Sequence, residues 1–447
     1  MAETIHIYHT NDLHSHFSNW PSIHAFLAER KRWHEEMGDV CLILDIGDHV
    51  DRSHPYSEGT AGKGNVQMLN DASYDAVTIG NNEGITLSKE ELDELYTDAG
   101  FDVILSNLLA ENGQRPDWAA PYKIIVTAEG KRIGLVGATA EYTPFYERLG
   151  WTVTPARESI LESVEEIKDQ TDFIVCLSHL GVREDEILAE SCPQIDVILG
   201  AHTHHIFHEG KMIGNVLLGA AGKFGAYLGH VIIENDFKKK RAYLIETEKL
   251  ENPDEGYDKD LRKQGKALLR EAVFHNEEAM KAEWFKESEM AQLFGKAMIE
   301  FSGADCALFN AGLFMEDMPS GEITRYDFHQ MLPHPINPCM IELTGAELKE
   351  IYLQSMNSDW PQLELKGLGF RGVVFGKMIR TGMDMENHHL FIGGKLAESN
   401  KVYKLITLDM FTFGYFFPEF KRSPKTYFMP EFIRDVFRGY FSRKPVQ

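Results

Sequence analysis

Cysteine is scarce in this chain, with five residues among 447 (Cys41, Cys176, Cys192, Cys306 and Cys339) and no CxxC pair. That argues against a disulfide framework, and the apolar text around the thiols reads as burying them in the free form. No apolar run approaches the roughly 18 residues a membrane-spanning helix needs. The opening MAETIHIYHTND has neither a basic n-region nor an apolar h-region, so a cytoplasmic protein is expected. Basic residues are also short: 45 Lys and Arg against 69 Asp and Glu leave a formal net charge of −24. A surface this acidic repels polyanions, which excludes DNA, RNA and anionic membranes as expected partners. It does not exclude a small phosphorylated ligand, because bound divalent cations invert the local field. Repeats and low-complexity tracts are absent.

What the chain does have is length and alternation. At 447 residues, 43% of them hydrophobic, it calls for two domains with substantial cores. Over residues 1–245 short β-branched runs alternate with helical text, the pattern of a layered α/β domain. Ser22–Met37 and Ser88–Gly100 have helical spacing, the second opening with a capping-box pair, Ser88 and Glu91. Val103–Leu108, Ile133–Thr139 and His230–Asn235 read as strands. Residues 246–286 turn charged, with no strand signal after Thr247, and read either as a linker with a long solvated helix or as one more surface helix. A second domain is expected over 287–447, with strand-like runs at Cys339–Leu343 and Lys401–Phe411.

Five apolar runs stop at residues that ligate metals. IHIYHTNDLH carries Asp12 and His14, CLILDIGD ends at Asp48, AVTIGNN at Asn81 and Asn82, FIVCLSH at His179, and VILGAHTHH at His202, His204 and His205. Asp12 and His14 stand two apart, so on an extended strand end both face one way. Gly47 allows the close approach a bridging carboxylate requires. Asn81 offers a neutral amide oxygen, although a turn or N-cap role would also place an Asn there. His179 alone reads as a satisfied structural histidine, whereas His202 and His204 present two imidazoles side by side. Each motif is weak alone; their conjunction at strand ends, in one order, points to a dinuclear metal site in the crevice beyond the strand C-termini.

That order resembles the calcineurin-like metallophosphoesterases and, within them, the 5′-nucleotidase family, whose pattern is D-x-H, G-D, G-N-H-[DE], a strand-end His and G-H-x-H. Phe309–Asn337 and Ile341–Ser355 are similar to that family's substrate domain. The resemblance implies a four-layer α/β/β/α metallophosphoesterase domain followed by an α+β substrate-binding domain. It further implies one ion on Asp12, His14 and His204, another on Asn81, His179 and His202, and Asp48 between them. The ions, Mn, Zn, Fe or Co, would hold a bridging hydroxide for in-line attack on a small phosphorylated, nucleotide-like metabolite.

The chain departs from the family twice. Where the family has a histidine thought to protonate the leaving group, position 82 is asparagine, which cannot act as an acid at neutral pH. Losing a general acid costs on the order of 10²–10⁴ in rate with a poor leaving group. His205, His16, His49 or Glu83 would replace it, or the substrate has a good leaving group, or the site binds without efficient turnover. A cyclic-phosphate or sulfur-ester hydrolase is a further alternative within this fold. In the substrate domain, Asn310-Ala311-Gly312-Leu313-Phe314-Met315 stands where the family carries an arginine-bearing N-G-G-x-x-R. Tyr415, Phe416 and Phe417 would stack on a base or pack internally, and Arg325, Arg371 and Arg380 are the candidate replacement anion contacts.

Overall fold

The β-branched runs of the N-terminal half form two six-stranded sheets in the computed structural model, which describes residues 4–234 and 237–442. Met1–Glu3 of the opening segment and Asn235, the end of one predicted strand, lie outside the described residues. Strands β1 (Ile5–Thr10), β2 (Val40–Asp45), β3 (Ala76–Val77) and β4 (Asp102–Val103) run parallel. The next six build the second sheet: β5 (Tyr122–Val126), β6 (Arg132–Thr139), β7 (Phe173–His179), β8 (Val197–Gly200), β9 (Lys211–Ile213) and β10 (Val216–Gly219), in the order β9-β10-β8-β7-β6-β5. Strands β11 (Tyr227–Glu234) and β12 (Lys239–Glu246) then return to the first sheet, whose order is β12-β11-β1-β2-β3-β4.

Alternation with period two decides the layering. Ile5, Ile7, Leu42 and Leu44 of the first sheet share one buried cluster with Leu135, Val175, Leu177 and Leu199 of the second, so the sheets pack face to face. The intervening residues point outward. Val136, Ile174, Cys176 and Ile198 meet Ile160 and Val164 of the helix Ala156–Ile167 and Leu188 of the helix Val182–Ser191. On the other side, Tyr8 faces Phe26 and His34 of the helix Trp20–Met37. Four layers, α/β/β/α, result. Each fully buried aliphatic side chain in these layers contributes about 1.5–3 kcal/mol.

The predicted capping box forms: Ser88 Oγ accepts from the Glu91 amide at 3.1 Å and Glu91 Oε2 from the Ser88 amide at 2.9 Å. The helix it starts, Lys89–Leu95, stops short of Gly100, where the chain turns through Thr97 and Ala99. All five cysteines are free, four of them buried. Among the described residues no helix is long and apolar enough to cross a membrane.

The chain divides into two compact units, Met1–Gly265 and Lys266–Gln447. The charged stretch holds a helix, Tyr257–Leu268, but it is not free of strand: β13 (Ala272–Asn276) pairs with the later Gly321–Thr324. Its text, AVFHN, is too short to show a period, and its partner lies far along the chain. The C-terminal unit continues with β14 (Cys306–Asn310), β15 (Gly321–Thr324), β16 (Pro338–Thr344), β17 (Met378–Thr381), β18 (Val402–Leu408) and β19 (Lys425–Tyr427). Five of these form a sheet in the order β17-β14-β18-β16-β19. Its core is aromatic, with Phe294 meeting Phe309, Phe314 and Phe437 edge-on.

Candidate metal centre

The loops after β1, β2, β3, β7 and β8 leave two facing sheets at the same end, and each delivers part of one polar cluster. Asp12 and His14 follow β1, and Asp48 follows β2. Asn81 and Asn82 open the helix Asn81–Thr86 after β3, His179 ends β7, and His202 and His204 follow β8. Sharp turns are needed to bring these side chains back toward one point. Asp12, His14, Asp48, His202 and His204 all have φ between 49° and 71°, the left-handed region. For a non-glycine residue that conformation costs on the order of 1–3 kcal/mol and clusters at functional sites. Gly47, with φ 87°, has no room for a Cβ, which would run into the backbone of Gly80.

The side chains meet closely. Asp12, His14 and His204 can each place one ligand atom within 4.8 Å of the others, as can Asp12, Asp48 and His179. Asp48 has its two oxygens apart, Oδ1 3.5 Å from His179 Nε2 and Oδ2 3.6 Å from His14 Nε2. His204 Nε2 is 3.4 Å from Asp12 Oδ1 and 3.2 Å from His14 Nε2. The ring of His202 stands 5.3 Å from that of His179, and its backbone amide faces the Asp12 carboxylate at 3.1 Å. His179 Nε2 and Asn81 Oδ1 are buried and make no hydrogen bond among the described residues. An orphaned amide oxygen, two carboxylates and four imidazoles, one of them with an orphaned nitrogen, are the donor set of a borderline divalent cation.

The electrostatics agree with that fit. Burial would raise the Asp48 carboxyl, but His179, with His14 and the Asn82 amide, outweighs it and holds the group below the usual range. Burial would likewise raise Asp12, and His204, His179 and His14 together reverse it. Burial would lower His179, yet Asp48, with Asp12 and the Ile46 carbonyl, lifts it to about 10. His202, dominated by burial and then by His179, falls to about 4. The carboxylates thus demand positive charge, which a metal ion supplies in place of protons.

Several supporting residues were not singled out as such in the sequence. Glu83 accepts from the backbone amides of Asp48 (3.0 Å), Val50 (2.8 Å) and Gly80 (2.8 Å), tying the loops after β2 and β3 together. Burial, then Asp48, raises its carboxyl to about 7. Asn11 donates to Asp12 Oδ2 at 2.8 Å and to Gly222 O at 2.7 Å. Asp51 Oδ2 lies 3.6 Å from His14 Nδ1; ligation through Nε2 puts the His14 proton on Nδ1, facing that carboxylate. Tyr142 OH is 3.5 Å from His202 Nε2, beside a cleft of about 500 Å³ also lined by Glu141, Arg157, Glu158 and Glu184. The signal for Glu83 and Asn11 was their adjacency to ligands; for Tyr142 there was none.

Asn82 is turned inward. It is 6% exposed, its amide nitrogen standing 2.9 Å from His14 Nδ1 and donating to Val50 O at 3.1 Å, while its backbone amide donates to Asp48 Oδ1 at 2.7 Å. Its backbone amide and its bond to Val50 tie it to the loop that carries Asp48, and a carboxamide supplies no acidic proton. Of the suggested replacements, His49 is buried against Trp20, with burial lowering it to about 3. Glu83 is used up by backbone amides. His16 is exposed and stacked on Phe224, and His205 is exposed with Nδ1 3.0 Å from Thr203 Oγ1.

In the C-terminal unit the expected substrate contacts are corrected in two places. Asn310 is fully buried, its amide donating to Phe375 O at 2.7 Å, so it faces the core. Phe416, 4% exposed, is stacked on Phe375 with ring centroids 4.4 Å apart, which leaves it no face for a base. Phe417 is buried as well, whereas Tyr415 is 72% exposed. Arg380 donates to Ser355 Oγ, Arg371 to Phe370 O, and Arg325 pairs with Glu271 at 3.5 Å.

Residues 5–205 match the calcineurin-like phosphoesterase family and residues 269–414 the 5′-nucleotidase C-terminal domain family. An uncharacterized metallophosphoesterase of Bacillus subtilis (strain 168), YunD, is 42% identical over 456 residues, covering 98% of each chain. The 5′-nucleotidase of Rattus norvegicus is 23% identical, over 78% of this chain and 71% of its own. Among solved structures, the NAD nucleotidase of Haemophilus influenzae superposes with a TM-score of 0.67 at 15% identity, covering 98% of this chain and 96% of that one. A 5′-nucleotidase precursor from Thermus thermophilus gives 0.59 at 20% identity, over 98% and 96%. At these identities the two structures attest the fold.

Proposed function

The chain belongs to the calcineurin-like phosphoesterases of the 5′-nucleotidase family, hydrolases of phosphoric esters, and from that premise we propose a two-metal phosphohydrolase acting on a small nucleotide-like phosphate with a good leaving group. The observation that carries this reading is the Asp48 carboxylate, with one oxygen toward His179 and the other toward His14. Asp12, His14 and His204 would hold one ion and Asn81, His179 and His202 the other, with Asp48 shared. Bound there, the ions would supply Lewis-acid polarisation of the phosphoryl group and an activated water. The protein's own residues do the rest. Glu83 fixes the Asp48 and Gly80 turns, Asn11 fixes the Asp12 carboxylate, and Asp51 fixes the His14 ring, all before substrate arrives.

Asn82 decides the substrate preference. Its inward amide leaves no acid at the position where the family protonates the leaving group, so poor leaving groups depart on the order of 10²–10⁴ more slowly. Anhydrides and aryl esters need no such help. Of the two exposed histidines left, His16 is stacked on Phe224 and His205 adjoins the ligand His204, so His205 is the one to test as proton donor.

The test is hydrolysis of AMP, ADP, ATP, UDP-glucose, 2′,3′-cyclic AMP and an aryl phosphate by protein loaded with Mn²⁺, Zn²⁺ or Co²⁺. Turnover of the anhydrides and the aryl ester, with AMP left nearly intact, is expected. Brisk AMP hydrolysis that survives His205→Ala would overturn the leaving-group argument. Silence across the panel with metal bound favours a second reading, a metal- and phosphate-binding protein, which the same inward Asn82 motivates.

A further inference from the structure

Away from the strand C-termini, on the outer face of the first sheet, three histidines from three elements converge. His6 comes from β1, His230 from β11, and His34 from the helix Trp20–Met37 that covers this face. Each ring can offer one nitrogen such that the three lie within 4.8 Å of one another. His6 Nδ1 stands at hydrogen-bond distance, 3.0 Å, from His230 Nε2, a span that need open only to about 3.3 Å for both nitrogens to ligate one tetrahedral ion at about 2.0–2.1 Å. His34 turns Nε2 to the Tyr8 hydroxyl at 3.0 Å, while its Nδ1 is buried and without a hydrogen-bond partner. The far nitrogen of His6, Nε2, faces Asp39 Oδ2 at 3.8 Å.

Two of the three imidazoles thus have a phenol or a carboxylate behind them, the outer partners that fix the tautomer and orientation of a metal-ligating histidine. Packing alone gives a poorer account. His6 and His34 are stacked with ring centroids 3.7 Å apart and His34 is 1% exposed. An unsatisfied buried ring nitrogen there costs about 1–3 kcal/mol. Burial holds all three rings below the ordinary range, against the pull of Asp39 and Glu234 on His6 and reinforced by His6 at the other two, with His34 at about 4 and His230 at about 3. At neutral pH they are neutral rings with lone pairs available. The cluster is separate from the phosphoesterase centre: His6 precedes the end of β1 at Thr10 by about 13 Å of strand, at 3.3 Å per residue.

We propose that His6, His34 and His230 form a further metal site, which takes one borderline divalent cation such as Zn²⁺ and ties the helix Trp20–Met37 to β1 and β11. Three imidazoles favour Zn²⁺, Ni²⁺, Cu²⁺ or Co²⁺ over Mg²⁺ or Ca²⁺, which take oxygen. A fourth position remains for water, since His230 is only half-buried.

Zn²⁺ itself is the probe, with full-length, metal-stripped protein dialysed against it and the bound metal counted per chain. His34→Ala and His230→Gln are each expected to bind one equivalent less than the parent chain. Both should also lose the Zn²⁺-dependent rise in melting temperature that remains when Asp48→Ala disables the other centre. Mn²⁺-dependent phosphatase activity, read in parallel, should persist in both variants. Unchanged Zn²⁺ stoichiometry in a folded variant overturns the proposal. Should His34→Ala not fold, His230→Gln carries the same reading, because its ring is less buried and glutamine keeps a polar group there.

Discussion

In the unit Met1–Gly265 the non-glycine residues forced into left-handed backbone include Asp12, His14, Asp48, His202 and His204; among the described residues of Lys266–Gln447 they are Leu368, Asn387 and His388, all on exposed turns. Each unit also buries a carboxylate whose pKa lies near 7. Glu83 in the first spends its oxygens on the amides that carry Asp48 and Gly80, whereas Asp409 in the second accepts from the Asn337 amide and holds β18 to the chain before β16. Much of the strain in the first unit, though not that at Ala61 or Ser73, lies at the site, whereas in the second unit strain and buried polarity serve the fold. Two of the positions expected to meet substrate, Asn310 and Phe416, are buried in the second unit, one bonded to the Phe375 carbonyl and the other stacked on the Phe375 ring.

The largest effect is expected at Asp48. Asp48→Ala should remove metal-dependent aryl phosphatase activity to the limit of detection, because both halves of the cluster lean on that carboxylate. Retained turnover would show that the strain in this unit does not mark a catalytic centre. Next comes the aromatic core of the other unit: Phe416→Ala should cost about 3–5 kcal/mol in urea unfolding, as deletion of a buried aromatic does. Tyr415→Ala, by contrast, should stay within about 0.5 kcal/mol and, if its ring meets a base, raise the nucleotide KM by the equivalent of about 1–3 kcal/mol. Equal stability losses at the two positions would erase the distinction between them.

A smaller effect is expected at Glu83. Glu83→Gln keeps the shape but sets an amide NH₂ against one or more of three backbone donors, and should weaken metal binding about 10–100-fold by calorimetry. Smallest is a pH slope. Burial raises Asp409 to about 7 in the folded chain, above its ordinary value near 3.8. Between those values the folded chain keeps a proton that the unfolded chain releases, so stability falls as pH rises through this window and levels off above it. In Asp409→Asn the slope from that group should vanish; a profile identical to the parent's would mean the group is not protonated in the fold.

The N-terminal unit was legible because its chemistry sits where periodicity breaks. An apolar strand that stops at Asp, Asn or His is visible in a linear text, and five of them in order defined both the sheets and the cluster. What stayed hidden depends on contacts distant in sequence: Tyr142 beside His202, Asp51 behind His14, and the pairing of Ala272–Asn276 with Gly321–Thr324. The inward turn of Asn82 was equally invisible. Its residue type showed that an acid was missing, but only the Val50 carbonyl and the His14 ring show what the amide does instead. In the C-terminal unit, aromatic text such as FTFGYFF does not say which ring is outside, since core and binding surfaces use the same residues.

The most direct test of the central claim is anomalous diffraction from crystals of the full-length chain grown with Mn²⁺. Two anomalous peaks about 3.5–4 Å apart, both contacting Asp48 and divided between the Asp12, His14, His204 and the Asn81, His179, His202 sets, are predicted. A single peak there, or none with Mn²⁺ in excess, would contradict the account.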